Sequence, residues 1–271
     1  MSMSFDFAGK TVFISGGTSG INLGIAQGFA AAGAKVFVIS RSQDKVDAAV
    51  ASILATGAEA ADGRSTDVRD HEAVKAAFQA CAERFGEIDV LISGAAGNFP
   101  AMANQISSNG FRSVLEIDVL GTHHVMTAAY PHLKKPGASI INISAPQALV
   151  PMAAQIHVCA AKAGVDMITK VLALEWGPEG IRINSVIPGP IENTEGMRRL
   201  APGEDDMDRV SKSVPLRRNG QAEDIAHMCM FLSSEQASYV NGTVVPVDGG
   251  WYLGGVGNAI GDMLEAFKTA K

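Results

Sequence analysis

The chain has 271 residues, 47% hydrophobic and 18% charged, enough to bury a large core as one domain and too apolar for a disordered segment. Its 28 acidic against 22 basic side chains give a net charge of -6, which argues against a nucleic-acid or anionic-membrane surface and favours a small-molecule partner. No apolar run reaches the length of a membrane span, no signal-peptide pattern is seen, and Cys81, Cys159 and Cys229 lack disulfide or zinc spacing, so a reducing cytoplasm is the expected setting.

In chain order, near-continuous apolar runs at 10–15, 34–40, 88–93, 138–144, 181–188 and 243–248 predict strands covered on both faces. Ala-rich stretches at 21–32, 43–56, 71–85, 109–134 and 152–176 carry apolar residues at helical spacing. This alternation predicts a single-domain α/β fold over 1–271, a Rossmann-like doubly wound parallel sheet with helices on both faces. The segment 189–221, rich in Pro, Gly and charge, breaks the rhythm and reads as a substrate-binding loop within that domain.

The first strand runs into SGGTSGINLGIA (15–26), where Gly16 and Gly20 let the backbone turn tightly and bring a pyrophosphate to the N-terminus of a helix starting near Ile21. Asn22 stands where a third glycine is expected, and a ligand-free turn needs glycine too. The second strand ends in Ser40, Arg41 and Ser42 rather than in an acid. A cation and hydroxyls suit the 2'-phosphate of NADP(H); the alternative is a solvated turn.

In order along the chain, SGGTSGI resembles the TGxxxGxG of the short-chain dehydrogenases/reductases, STDVRD (65–70) their adenine-contact turn, SGAAGNF (93–99) their NNAG, and INSVIPGPI (183–191) their N-x-x-x-P-G segment, with Ser144, Lys162 and VDGG (247–250) in place. The resemblance implies a dinucleotide held by Gly16, Thr18, Ser19, Gly20, Ile21, Asp67, Val68, Gly94, Ala95, Ala96, Lys162, Pro188, Gly189 and Ile191. More narrowly, AAGNF, QIHVCAAKAGVD (155–166), EWGPEGIRINS (175–185) and PGPIENTEGMRRL (188–200) are similar to the peroxisomal-type 2,4-dienoyl-CoA reductases. The helix at 152–176 and VDGGWYLGG (247–255) resemble homotetrameric members. FKTAK at 267–271 has no SKL-type peroxisomal address, which keeps the expectation cytoplasmic.

Val158 occupies the place, four residues before Lys162, where the family usually has tyrosine; in the dienoyl-CoA group that absence is usual. Physically, a ketone needs a proton on its oxygen as hydride arrives. A conjugated dienoyl thioester instead moves charge to the thioester oxygen as a dienolate and takes a proton later at carbon, which calls for an oxyanion pocket and a water or weak acid. The resemblance places Lys162 on the nicotinamide ribose and gives Asp118, where most members carry Asn, a role in protonation through water. An Asp in an apolar helix must be desolvated, neutralised or paired, which lifts it toward use as an acid, or it is a structural acid bonded to backbone. Ser144 is a donor to the thioester oxygen or a local cap, and Asn98 and Phe99 line an acyl pocket or, for Phe99, the core. His157 is the second choice for the acid, one helical position away from the tyrosine site. Arg198 and Arg199 meet CoA phosphates or solvent. His123 and His124 have no partners that suggest a metal.

The expected function is NADPH-dependent reduction of a 2,4-dienoyl-CoA-like acyl thioester. The alternatives are a carbonyl or alcohol oxidoreductase using His157 and a non-catalytic nucleotide-binding scaffold.

Overall fold

The computed structural model describes residues 5–200, 203–255 and 257; FKTAK lies outside them. The strands β1 (Thr11–Ser15), β2 (Lys35–Ser40), β3 (Ala60–Ser65), β4 (Val90–Ser93), β5 (Ser139–Ile143), β6 (Arg182–Pro188) and β7 (Val244–Val247) form one sheet in the order β3-β2-β1-β4-β5-β6-β7, and every pairing is parallel. The helices are α1 (Gly20–Ala31), α2 (Gln43–Leu54), α3 (His71–Phe85), α4 (Ser108–Leu115), α5 (Gly121–Ala129), α6 (Ile156–Trp176), α7 (Glu195–Leu200), α8 (Glu204–Ser213) and α9 (Ala222–Ser233).

Two cores form on opposite faces of the sheet. One gathers Val12, Ile14, Val36, Ile92 and Ile141 with Ile25, Phe29 and Ile225 from α1 and α9. The other joins Phe13, Leu91 and Ile140 to Phe78 and Met126 from α3 and α5. Phe13 stacks on Phe78 at 4.0 Å between ring centroids, and burying each such ring is worth about 1.5–3 kcal/mol. The alternation of inward residues to both faces is why these strands read as continuous apolar runs.

Three features depart from the sequence reading. β3 (AADGRS) was not foreseen, because an edge strand with half-exposed faces carries no apolar run. The span 109–134 is not one helix: between α4 and α5 the backbone widens into a π-helical turn, Glu116–Leu120, and Tyr130–His132 is a 3-10 turn. The segment 189–221 contains α7 and α8 rather than loop alone. Among the described residues, no helix is long and apolar enough to cross a membrane.

Parallel order brings the carboxyl ends of β1, β4 and β5 to one edge, with Ser15 beside Ser93 and Ser93 beside Asn142. The connection reverses direction between β1 and β4, the place where such sheets open a crevice for a ligand.

Candidate active site

At the β1 end, the backbone turns through Gly16 (φ +75°) and Gly20 (φ +53°) into α1, conformations that strain other residues. Ser19 caps α1 without a side-chain hydrogen bond, and the first turn holds no acid. The N–H groups at the start of this 12-residue helix are therefore left for an anion. An added Cβ at Gly16 would lie 3.0 Å from the Ala95 backbone, and one at Gly20 3.6 Å from Thr194, so the turn is walled by the segments following β4 and β6. Gly189 and Ile191 belong to the latter: Gly189 donates its N–H to Val247 O at 3.0 Å, and Ile191 is buried. This cradle fits a dinucleotide pyrophosphate.

Arg41 stands exposed past the end of β2, next to Ser40 and Ser42. Asp67 in the neighbouring turn is gripped by Arg69, whose guanidinium hydrogen bonds hold its carboxyl below the usual range, with Arg41 adding a smaller pull. The next residue, Val68, gives its carbonyl to His124 Nδ1 at 2.9 Å.

On the other side, α6 runs beneath the ends of β5 and β6. Lys162 is buried, its Nζ 3.1 Å from the Ile143 carbonyl and 3.3 Å from Asp118 Oδ2. Asp118 lies buried within the π-helical turn, and its Oδ1 accepts the Gly97 N–H at 2.7 Å. Of the outcomes open to an Asp in an apolar helix, pairing is the one realised. Val158, 2% exposed, packs with Val114 and Ala161, so the position one turn before Lys162 presents hydrocarbon. His157 is fully buried, its ring 4.5 Å from that of Phe99. Burial lowers its pKa, against the opposing pull of the Phe99 backbone and the Asp118 charge, so the ring is neutral near pH 7.

Ser144 is buried at the end of β5, its N–H on Val186 O at 2.9 Å. Behind it lies Asp166, a residue the sequence reading passed over. Burial pushes its carboxyl up, opposed by the hydroxyls of Ser144 and Ser185 and then by Lys162 and Lys170. Ser185 continues through Thr169 (2.8 Å) to Asn142 (2.8 Å). The available signal was the i, i+4 spacing of Asp166 from Lys162 on an apolar helix.

Asn98 and Phe99 sit half-buried in the loop after β4, which Ala101 N–H ties to the Ala154 carbonyl at 2.8 Å just before α6. Phe99 also borders α4: a Cβ on Gly110 would meet its ring at 3.1 Å. There a shallow groove of about 460 Å³ is lined by Ile106, Ser107, Phe111, Arg112 and Leu115. Arg198 is exposed on α7 and paired with Glu195 at 3.3 Å; the Arg199 side chain lies outside the described part. Among the described residues, no three His, Cys, Asp or Glu side chains cluster as a metal site.

A family model described as enoyl-(acyl carrier protein) reductase matches residues 16–252. The chain is 41% identical to a peroxisomal 2,4-dienoyl-CoA reductase of Rattus norvegicus, covering 94% of this chain and 88% of that one. It is 38% identical to a probable 2,4-dienoyl-CoA reductase of Bacillus subtilis, covering 90% and 97%. Among solved structures, a short-chain type dehydrogenase/reductase from Mycobacterium ulcerans superposes with a TM-score of 0.87 at 31% identity, covering 92% of each chain.

Proposed function

From the membership of this chain in the short-chain dehydrogenase/reductase family, we propose that it is an NADPH-dependent reductase of a 2,4-dienoyl-CoA-like thioester. The observation that carries this is the buried Lys162–Asp118 pair beside Val158: a cation and a carboxylate stand at the end of the sheet where a ketone reductase needs a phenol.

The dinucleotide, when bound, supplies the hydride. The chain's own residues do the rest. Lys162 places positive charge next to the developing dienolate, and the Ser144 hydroxyl is positioned to donate to the thioester oxygen. Asp118, half of an ion pair and anchored by the Gly97 N–H, holds the water that donates the proton at carbon, and the hydroxide left behind is reprotonated from solvent. His157 plays a lesser part, because its ring is packed on Phe99. Asn98, Phe99 and the groove along α4 receive the acyl part, and Arg198 and Arg199 meet CoA phosphates. Arg41 with Ser40 and Ser42 accounts for the NADP(H) preference.

The enzyme works in the cytoplasm as a homotetramer; α6 offers Met167, Val171 and Leu174 to solvent in the single chain. Light scattering that shows a monomer at micromolar concentration, or a tagged chain found in an organelle, counts against these two statements. The central test is NADPH oxidation with a 2,4-dienoyl-CoA, a 3-oxoacyl-CoA and a steroid ketone. Turnover of the first alone supports the proposal, and turnover confined to a carbonyl substrate overturns it.

A further inference from the structure

Among the departures of this chain from the two family patterns TGxxxGxG and NNAG, two are opposite in kind. Asn22 replaces the last glycine of the first, and Gly94 replaces the first asparagine of the second. In the structure the two meet. The Asn22 amide donates to Gly94 O at 2.9 Å and approaches Gly16 O at 3.4 Å. A Cβ on Gly94 would lie 2.4 Å from the Asn22 carboxamide, closer than real side chains come. A helix residue thus fills the space beside Gly94, and a side chain at 94 has to displace the Asn22 carboxamide.

We propose that Asn22 and Gly94 are an exchanged pair, in which Asn22 is the positioning residue that locks the phosphate turn to the segment after β4. Two segments of the cleft, Gly16–Gly20 and Gly94–Gly97, are joined side by side by Gly94 N–H on Ser15 O at 3.2 Å. The Asn22 amide adds a second tie on the helix side. The proposal rests on the reading of this cleft as a dinucleotide site. Removing the amide frees the Gly94 carbonyl and loosens the floor of the cleft; adding a second side chain at 94 overfills it.

The test is a double-mutant cycle on the full chain, with NADPH affinity read by fluorescence titration and the thermal midpoint read without cofactor. Asn22→Gly is expected to weaken NADPH binding about tenfold, and Gly94→Asn by more, about a hundredfold. The double variant Asn22→Gly/Gly94→Asn is expected to return to within about threefold of the parent, because the amide is restored from the other side. KM for NADPH follows these changes, and kcat at saturation changes by a smaller factor than KM. Should Gly94→Asn fail to fold, the NADPH affinities of Asn22→Gly and of the double variant carry the test: a loss in the first that the second restores supports the proposal, and an unchanged affinity in the first overturns it. Losses that add in the double variant, or singles that lower the midpoint without changing NADPH affinity, overturn the proposal. A parent that binds neither NADPH nor NADH overturns the dinucleotide reading as well, which separates the two failures.

Discussion

At the β1–α1 turn the groups offered to a ligand are backbone N–H and exposed side chains such as Arg41, whereas between α6 and the π-helical turn they are buried and charged. In the proposed function the first region recognises a large anion that arrives with its own charge, for which glycine, an uncapped helix start and a solvent-facing cation suffice. The second, in the same proposal, acts on charge that exists only during reaction, and holding Lys162 and Asp118 ready means desolvating both and compensating each with the other. Substitutions in the second region therefore strike chemistry and stability together, while those in the first act on binding.

The sharpest way to break this contrast is Lys162→Ala. It removes the cation and leaves Asp118 buried, so single-turnover reduction of a dienoyl-CoA should fall about 10³-fold, with stability lower by about 3–5 kcal/mol in urea unfolding. Asp118→Asn should slow the same step about 10²-fold with NADPH affinity unchanged; an intact rate, with His157→Ala crippling instead, would make the proton route proposed here wrong. In the other region, Arg41→Asp should abolish the preference for NADPH over NADH, a shift of about tenfold or more in the ratio of their dissociation constants, with kcat little altered. Val158→Tyr should give no gain on a dienoyl thioester and cost about 1–3 kcal/mol of stability, since the phenol is forced among Val114 and Ala161.

The smallest effect is a pH dependence. The folded pKa of His157 lies below its ordinary value because of burial, so the stability tied to the neutral ring is complete above about pH 6.5 and is lost as pH falls through the folded value. His157→Leu should accordingly lose less stability than the parent between pH 7 and pH 5 in thermal melts. Equal losses would mean that the ring is hydrated in solution.

The strands at 10–15, 34–40, 88–93, 138–144, 181–188 and 243–248, the parallel α/β class and the Gly16–Gly20 turn were determined by the sequence itself, because continuous apolar runs and glycine at a strand–helix junction are local signals. Lys162 was singled out through the resemblance to a family motif, and its pairing with Asp118 came only with the structure. Local pattern does not contain the rest. β3 has no apolar run, since its place at the sheet edge is set by α2 and β2 rather than by its own residues. Asp118 is buried in a π-helical turn that α4, α5 and α6 surround, an arrangement its neighbours in sequence do not announce. Ser144 and Ser185 lie 41 residues apart in sequence and meet Asp166 only where β5, β6 and α6 converge. Asn22 and Gly94 look like two unrelated departures until β1 and β4 lie side by side. Side-chain partners across the sheet are chosen by the packing of distant segments, and only the tertiary structure decides them.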